Sequence, residues 1–182
     1  LSPAAPWAYT QSIYAIKDKR ASYGNPRSVL VQQTIIDNGS TTRTTSNNPV
    51  DFTVNSGWFT DFNPSNSSPG ERVNIDPQLV QGTLVVVTNA PNNNVCAVGG
   101  DSFIYQFDYA KGTNVATAAG RVVAQRTYGQ ATVGISLVRT TTGAIQAEQS
   151  LAGGQPPSTQ GINIAGGGGN GRRVSWRQLV NF

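Results

Sequence analysis

The sequence predicts an all-β protein, and three observations carry that prediction. Short runs of β-branched and aromatic residues recur along the chain, with Gly, Pro, Asn and Asp turn signals between them every 8 to 12 residues or so. No window of a dozen residues keeps apolar positions at i, i+3, i+4 and i+7, the spacing of an amphipathic helix. Of the 182 residues only 12% are charged, and Asn, Ser, Thr, Gln and Gly take the place of Lys and Glu. Exposed strand faces of surface and secreted β proteins have that character. About ten short strands at this spacing imply a sandwich, a barrel or a propeller.

In chain order, residues 1–10 contain Pro3 and Pro6 and read as an irregular lead-in. Residues 11–17 alternate and read as a strand, and residues 18–26 as a turn region. Residues 29–36 read as one second strand. Residues 37–49 are polar and read as a long loop, with Asn38-Gly39 as a turn signal. Residues 50–54 and 57–62 are expected to pair as a hairpin, and residues 63–70 form a loop by composition. Residues 72–75 make a short strand, and Asp76-Pro77 begins a turn. Residues 83–88 hold four successive apolar positions, so this strand is expected to be buried on both faces. Residues 90–94 turn, 102–108 alternate as the next strand, and 108–112 turn the chain over. Further strands are expected around 122–124, 133–139 and 144–149. Residues 153–171 are Gly-rich and read as a flexible loop. Residues 173–179 read as a final strand.

Composition also limits the chemistry. There is no His, which removes His-based acid–base and nucleophilic systems and His-ligated metals. The single cysteine, Cys96, excludes a disulfide or a multi-cysteine metal site within the chain. It is either a small buried hydrophobe or the partner of a cysteine elsewhere in a larger protein. Nine carboxylates remain, and no pattern pairs any two of them as a glycosidase dyad. The oxygen-bearing residues of 61–66 resemble a calcium loop, but Pro64 interrupts them and position 72, where the bidentate acid belongs, is Arg72. That stretch therefore reads as a surface loop. The glycines at 166–169 lack the Lys-Ser/Thr of a phosphate loop. Asn38-Gly39-Ser40 and Asn66-Ser67-Ser68 match the glycosylation acceptor pattern, which matters only in a glycosylating host.

The net charge of +4 comes without long basic runs; Lys17, Lys19, Arg20 and the pair Arg172-Arg173 are too few to neutralise many phosphates, so no nucleic-acid partner is expected. No apolar run reaches the roughly 18 residues of a membrane span. The chain contains no Met, so it is expected to be a processed product whose true start lies upstream of Leu1. Tyr14, Trp58, Phe59, Phe103, Tyr105, Phe107 and Trp176 fall in expected strands and read as packing residues, the alternative being a sugar-stacking platform.

Several segments, taken in order, resemble one family. Thr10-Gln11-Ser12-Ile13-Tyr14-Ala15-Ile16-Lys17-Asp18 is similar to the strand that follows a glycine-rich GTG segment in the PilY/PilC-type propeller. Gly57-Trp58-Phe59-Thr60-Asp61, then Gly70-Glu71-Arg72-Val73, then Asp76-Pro77-Gln78-Leu79-Val80-Gln81-Gly82 resemble a further run of that family. Cys96-Ala97-Val98-Gly99-Gly100-Asp101-Ser102 and the ending Gly171-Arg172-Arg173-Val174-Ser175-Trp176-Arg177-Gln178-Leu179 resemble two more.

The resemblance implies the C-terminal part, about two to three blades, of a β-propeller in a type IV pilus tip-associated adhesin or assembly protein. Residues 1–182 would then be part of one domain, with 153–171 a flexible loop inside it. The function implied is structural: an interaction module acting in pilus assembly, retraction control and surface adhesion, not an enzyme. Implied partners are the remainder of the same propeller, minor pilins at the pilus tip, and a host or abiotic surface. The implied location is extracellular, at the pilus tip or outer cell surface after export through the periplasm. Cys96, Trp58, Asp76, Pro77, Gly99, Gly100 and Trp176 carry over as structural positions, and no catalytic, metal or ligand residue carries over. The family's calcium loop has no counterpart here, so no cofactor is expected in this chain and calcium would belong to the remainder of the parent. An Arg-Gly-Asp adhesion motif is absent. Two or three blades leave edges and apolar faces unpaired, so the chain is not expected to be a stable monomer alone. The competing readings are a stand-alone extracellular β-sandwich that binds carbohydrate and a fragment of a quinoprotein-like propeller enzyme.

Overall fold

The computed structural model describes residues 10–20, 22–39, 41–65, 70–91 and 99–166. These residues form thirteen strands and no α-helix. The first seven are β1 (Ser12–Ile16), β2 (Val31–Gln33), β3 (Ile35–Asp37), β4 (Thr42–Thr45), β5 (Gly57–Asp61), β6 (Arg72–Val73) and β7 (Gln78–Val80). Then follow β8 (Thr83–Pro91), β9 (Gly100–Asp108), β10 (Val122–Thr127), β11 (Thr132–Arg139), β12 (Ile145–Leu151) and β13 (Ser158–Ile162).

They make three sheets. The first has the order β1-β5-β2, with β1 antiparallel and β2 parallel to β5. The central sheet has the order β3-β4-β10-β9-β8-β6, with β7 also on β8. The third has the order β11-β12-β13. Side chains alternate across a strand, and β8 and β9 use both of their faces. On one face Val86, Phe103, Tyr105 and Phe107 pack with Trp58 and Phe62 of the first sheet's side. On the other, Val85, Val87 and Ile104 pack with Ile145, Ala147 and Ile162 of the third sheet. The apolar run expected to be buried on both faces is therefore the middle of a layered stack. Polar groups bolt the second interface: Asn89 exchanges two 2.8 Å hydrogen bonds with the Thr132 backbone, and Gln106 bridges Gly161 and Asn163.

Four expectations are corrected. Residues 29–36 are two strands in different sheets, because at Thr34 the backbone N–H turns to the Ser46 hydroxyl at 2.9 Å and the carbonyl accepts from the Ser46 N–H. The polar stretch 37–49 contains β4, a strand paired on both sides, with Arg43 buried. Residues 50–54 do not pair with β5; the Asp51 carboxylate accepts from the backbone and hydroxyl of Thr53 and closes a turn instead. The Gly-rich stretch 153–171 contains β13, which pairs with β12 over five positions and anchors through buried Ile162. The remainder of that stretch beyond 166, the expected final strand at 173–179 and the lead-in at 1–9 lie outside the described residues.

The strand counts of three, seven and three also differ from the four per blade of a regular propeller. The excess in the central sheet comes from short pieces: β6 and β7 share one side of β8, and the β3–β4 hairpin extends β10.

Candidate functional site

The first sheet presents the strongest candidate for an interaction site. Its β1 and β5 come together closely because of Gly57, which has φ +140° and lies so near β1 that a Cβ would sit 1.9 Å from the Ala15 carbonyl oxygen. The next residue, Trp58, is fully buried and opposite Ala15. Its indole N–H donates to the Tyr109 carbonyl at 2.8 Å. Gly112, at φ +69°, lets the 108–112 turn lie flat on the indole; a Cβ there would sit 2.3 Å from the ring.

This interlock leaves an apolar cleft of about 280 Å³ at the end of β1, walled by Ala15, Ile16, Phe52, Trp58 and Tyr109 with Lys17 at its rim. Ile16 is 46% exposed and Tyr109 54%, so the cleft continues into an open apolar surface. The cleft has room for one apolar side chain.

The outer face of the same sheet is held by Arg27. Its guanidinium lies 4.5 Å from the Phe59 ring centroid and forks onto Asp61 at 2.5 and 3.1 Å. It also donates to the Tyr14 hydroxyl at 3.0 Å and the Ser12 hydroxyl at 2.9 Å. The Arg27 hydrogen bonds hold the Asp61 carboxyl below the usual carboxylate range.

Beneath, the core contains a charged network. Arg43 donates to Glu71 at 2.7 Å and pairs with Asp37 at 3.1 Å, and its guanidinium lies 3.5 Å from the Phe103 ring centroid. Glu71 also accepts from Thr88 at 2.5 Å and from the Tyr105 hydroxyl at 2.8 Å, and Arg43 contacts that same hydroxyl. Burial, and then the Glu71 charge, push the Tyr105 hydroxyl well above its ordinary pKa. With every member partnered and all but Asp37 buried, this network is a structural joint between β4, β8 and β9.

Of the structural positions expected from sequence, Trp58 is at the centre of the site. Asp76 and Pro77 are exposed at the turn into β7, away from it. Gly99 is half-buried and Gly100, expected in a turn, is the first residue of β9, opposite Pro91. Cys96 and Trp176 lie outside the described residues. Trp58, Phe59, Phe103, Tyr105 and Phe107 are all buried, as packing residues should be, and Tyr14 is 38% exposed under Arg27. Arg27 and Arg43 were missed. Their signal was faint: Arg27 finds Asp61 34 positions away, and Arg43, although Asp37 lies six positions before it, finds its buried partner Glu71 28 positions away. Among the described residues no three His, Cys, Asp or Glu side chains cluster as a metal site, and no helix is long and apolar enough to cross a membrane.

No family model matches the sequence, and no curated protein matches it. Among solved structures, the chain is similar to the C-terminal domain of PilY1 from Pseudomonas aeruginosa, with a TM-score of 0.60 and 21% identity. The match covers 87% of this chain and 38% of that one, so the chain spans well under half the length of the structure it resembles. At this identity the likeness is one of fold.

Proposed function

We propose that this chain is a non-catalytic structural and interaction module of a type IV pilus tip-associated protein, acting in pilus assembly, retraction control and surface adhesion. The observation that carries this reading is the agreement of two likenesses, one of sequence motifs and one of fold. The ordered motifs that resemble the PilY/PilC-type family supply interior joints of the fold, Gly57-Trp58 and Glu71 among them. The fold built around those joints is similar to a PilY1 C-terminal domain over 87% of the chain. In this reading the three sheets are blades of a propeller completed by the remainder of the parent, which also holds any calcium. The parent is exported and displayed at the pilus tip, where it meets minor pilins and an external surface. A His-free chain with an apolar cleft suits a contact role better than a chemical one.

The test is genetic. Deleting the segment that encodes these residues in the producing bacterium is expected to reduce surface pili, counted by electron microscopy, and to reduce surface attachment. Removing the retraction motor as well separates the two roles. Pili that return point to retraction control, and pili that stay absent point to assembly. Unchanged piliation together with unchanged attachment would remove the proposal.

A further inference from the structure

Strand β1 is at an end of its sheet, with β5 on one side and no described strand on the other. Its pairing register sums to 73 throughout, and the bonds Lys17 N–H to Ser56 and Phe62 N–H to Gln11 obey the same sum. In an antiparallel ladder hydrogen-bonded pairs alternate. Residues 11, 13, 15 and 17 therefore bond to β5, while the backbone N–H and C=O of Ser12, Tyr14 and Ile16 point to the open side. Among the described residues nothing accepts or donates there.

Proteins usually blunt such edges with short strands, charges, proline or bulges. The edge strands β2 and β3 are three residues long and β6 is two. The edge of β11 is partly capped, the Gln78 side-chain amide donating to the Ile135 carbonyl at 3.2 Å. Edge strand β13 is polar along Ser158, Thr159 and Gln160. By contrast β1 has no proline, charge or register shift within Ser12–Ile16. Its inward residues Ile13 and Ala15 reach the core but stay half-covered. The cleft opens beside Ala15, at the end of the same edge.

We propose that the open edge of β1 receives an extended strand from the remainder of the parent polypeptide, which bonds to Ser12, Tyr14 and Ile16. This rests on the proposed function, in which such a remainder exists; the similar solved chain extends far beyond the part matched here. The occupant's chemistry follows from the edge. Side chains on its inner face are apolar, continue the layer of Ile13 and Ala15, and place one residue into the cleft against Trp58 and Tyr109. Where it passes Lys17, Lys19 and Arg20, it carries an acidic residue, because none of these three exposed cations is ion-paired with a described residue.

Hydrogen exchange resolved to single amides in the full-length protein tests this. The expected result is that Ser12, Tyr14 and Ile16 exchange as slowly as Ile13, Ala15 and Lys17. A period-two pattern, slow at 13, 15 and 17 but fast at 12, 14 and 16, shows an open edge and overturns the proposal. Protection at 12, 14 and 16 that appears only as concentration rises places a second copy on the edge and also overturns it. The reading beneath is checked separately by the mass of the native polypeptide, since a 19.2 kDa species leaves no remainder to supply the strand.

Discussion

Glu71→Gln isolates the energetics of the buried network. The substitution keeps volume and removes a charge that is 1% exposed. The carboxylate accepts from three donors, Arg43, Thr88 and Tyr105. A glutamine side chain presents one oxygen and one NH2, so either Arg43 faces the NH2 or the Thr88 and Tyr105 hydroxyls must turn from donating to accepting. Arg43, with its side chain 5% exposed, is left with Asp37 at 3.1 Å as its counter-charge. Removing one member of a buried pair costs about 3–5 kcal/mol, because an uncompensated charge remains. Asp37 compensates in part, which sets the expected cost at the lower end, about 3 kcal/mol. At 1.4 kcal/mol per decade, local opening of β8 and β9 becomes roughly 100-fold more frequent.

The assay is hydrogen exchange of the Ile104 and Tyr105 amides in the full-length protein, compared between wild type and Glu71→Gln. A control variant, Arg43→Met with Glu71→Leu, removes both charges and is expected to lose far less than the sum of the single losses. A change below about fivefold in Glu71→Gln, roughly 1 kcal/mol, would refute the reasoning. So would a double variant whose loss equals the sum.

Two further predictions concern the first sheet. Gly57→Ala places a methyl against the Ala15 backbone, which has no flexible end to move aside, at a φ that L residues disfavour. The conformational strain alone is about 1–3 kcal/mol; faster exchange at Ile13, Ala15 and Lys17 is expected, and unchanged exchange there would count against the close approach. The Asp61 carboxyl has a folded pKa depressed by Arg27, so its contribution to stability is present above the unfolded value near 3.9 and is lost as pH falls through the folded pKa. Its titration, followed by carboxyl carbon NMR, is expected to lie below about 3.9 and to return toward that value in Arg27→Leu; a midpoint indifferent to Arg27 would show that the fork does not form in solution.

How far the sequence reveals this molecule depends on the range of each interaction. The middle of the fold was legible because β8 announces itself locally, four consecutive apolar residues needing two covered faces; 102–108 read as an alternating strand, and Ile104 between Phe103 and Tyr105 gives β9 two buried faces as well. Segments 29–36 and 50–54 were misread for the opposite reason. Their local pattern is that of a strand, but a hydroxyl at Ser46 diverts the backbone at Thr34, and the Asp51 carboxylate closes a turn on Thr53. One side-chain oxygen outweighs propensity in each place. The polar stretch 37–49 hid β4 because its inward residue is Arg43, and no hydrophobic pattern marks a core position filled by a cation. That position is tenable because Glu71 lies opposite, and only the pairing of β4 with β10, across some eighty residues, brings it there. Trp58 was legible as a packing residue, yet the cleft above it was not, since the cleft depends on how the 108–112 turn lies over the indole. With the aromatic residues of β5 and β9 buried and the charged network closed on itself, the interior, where Thr45, Thr60 and Gln160 each keep one unpaired side-chain atom, offers a partner no surface among the described residues. The end of β1 does, in three backbone positions and an open apolar cleft, so an interaction role is best sought at that edge.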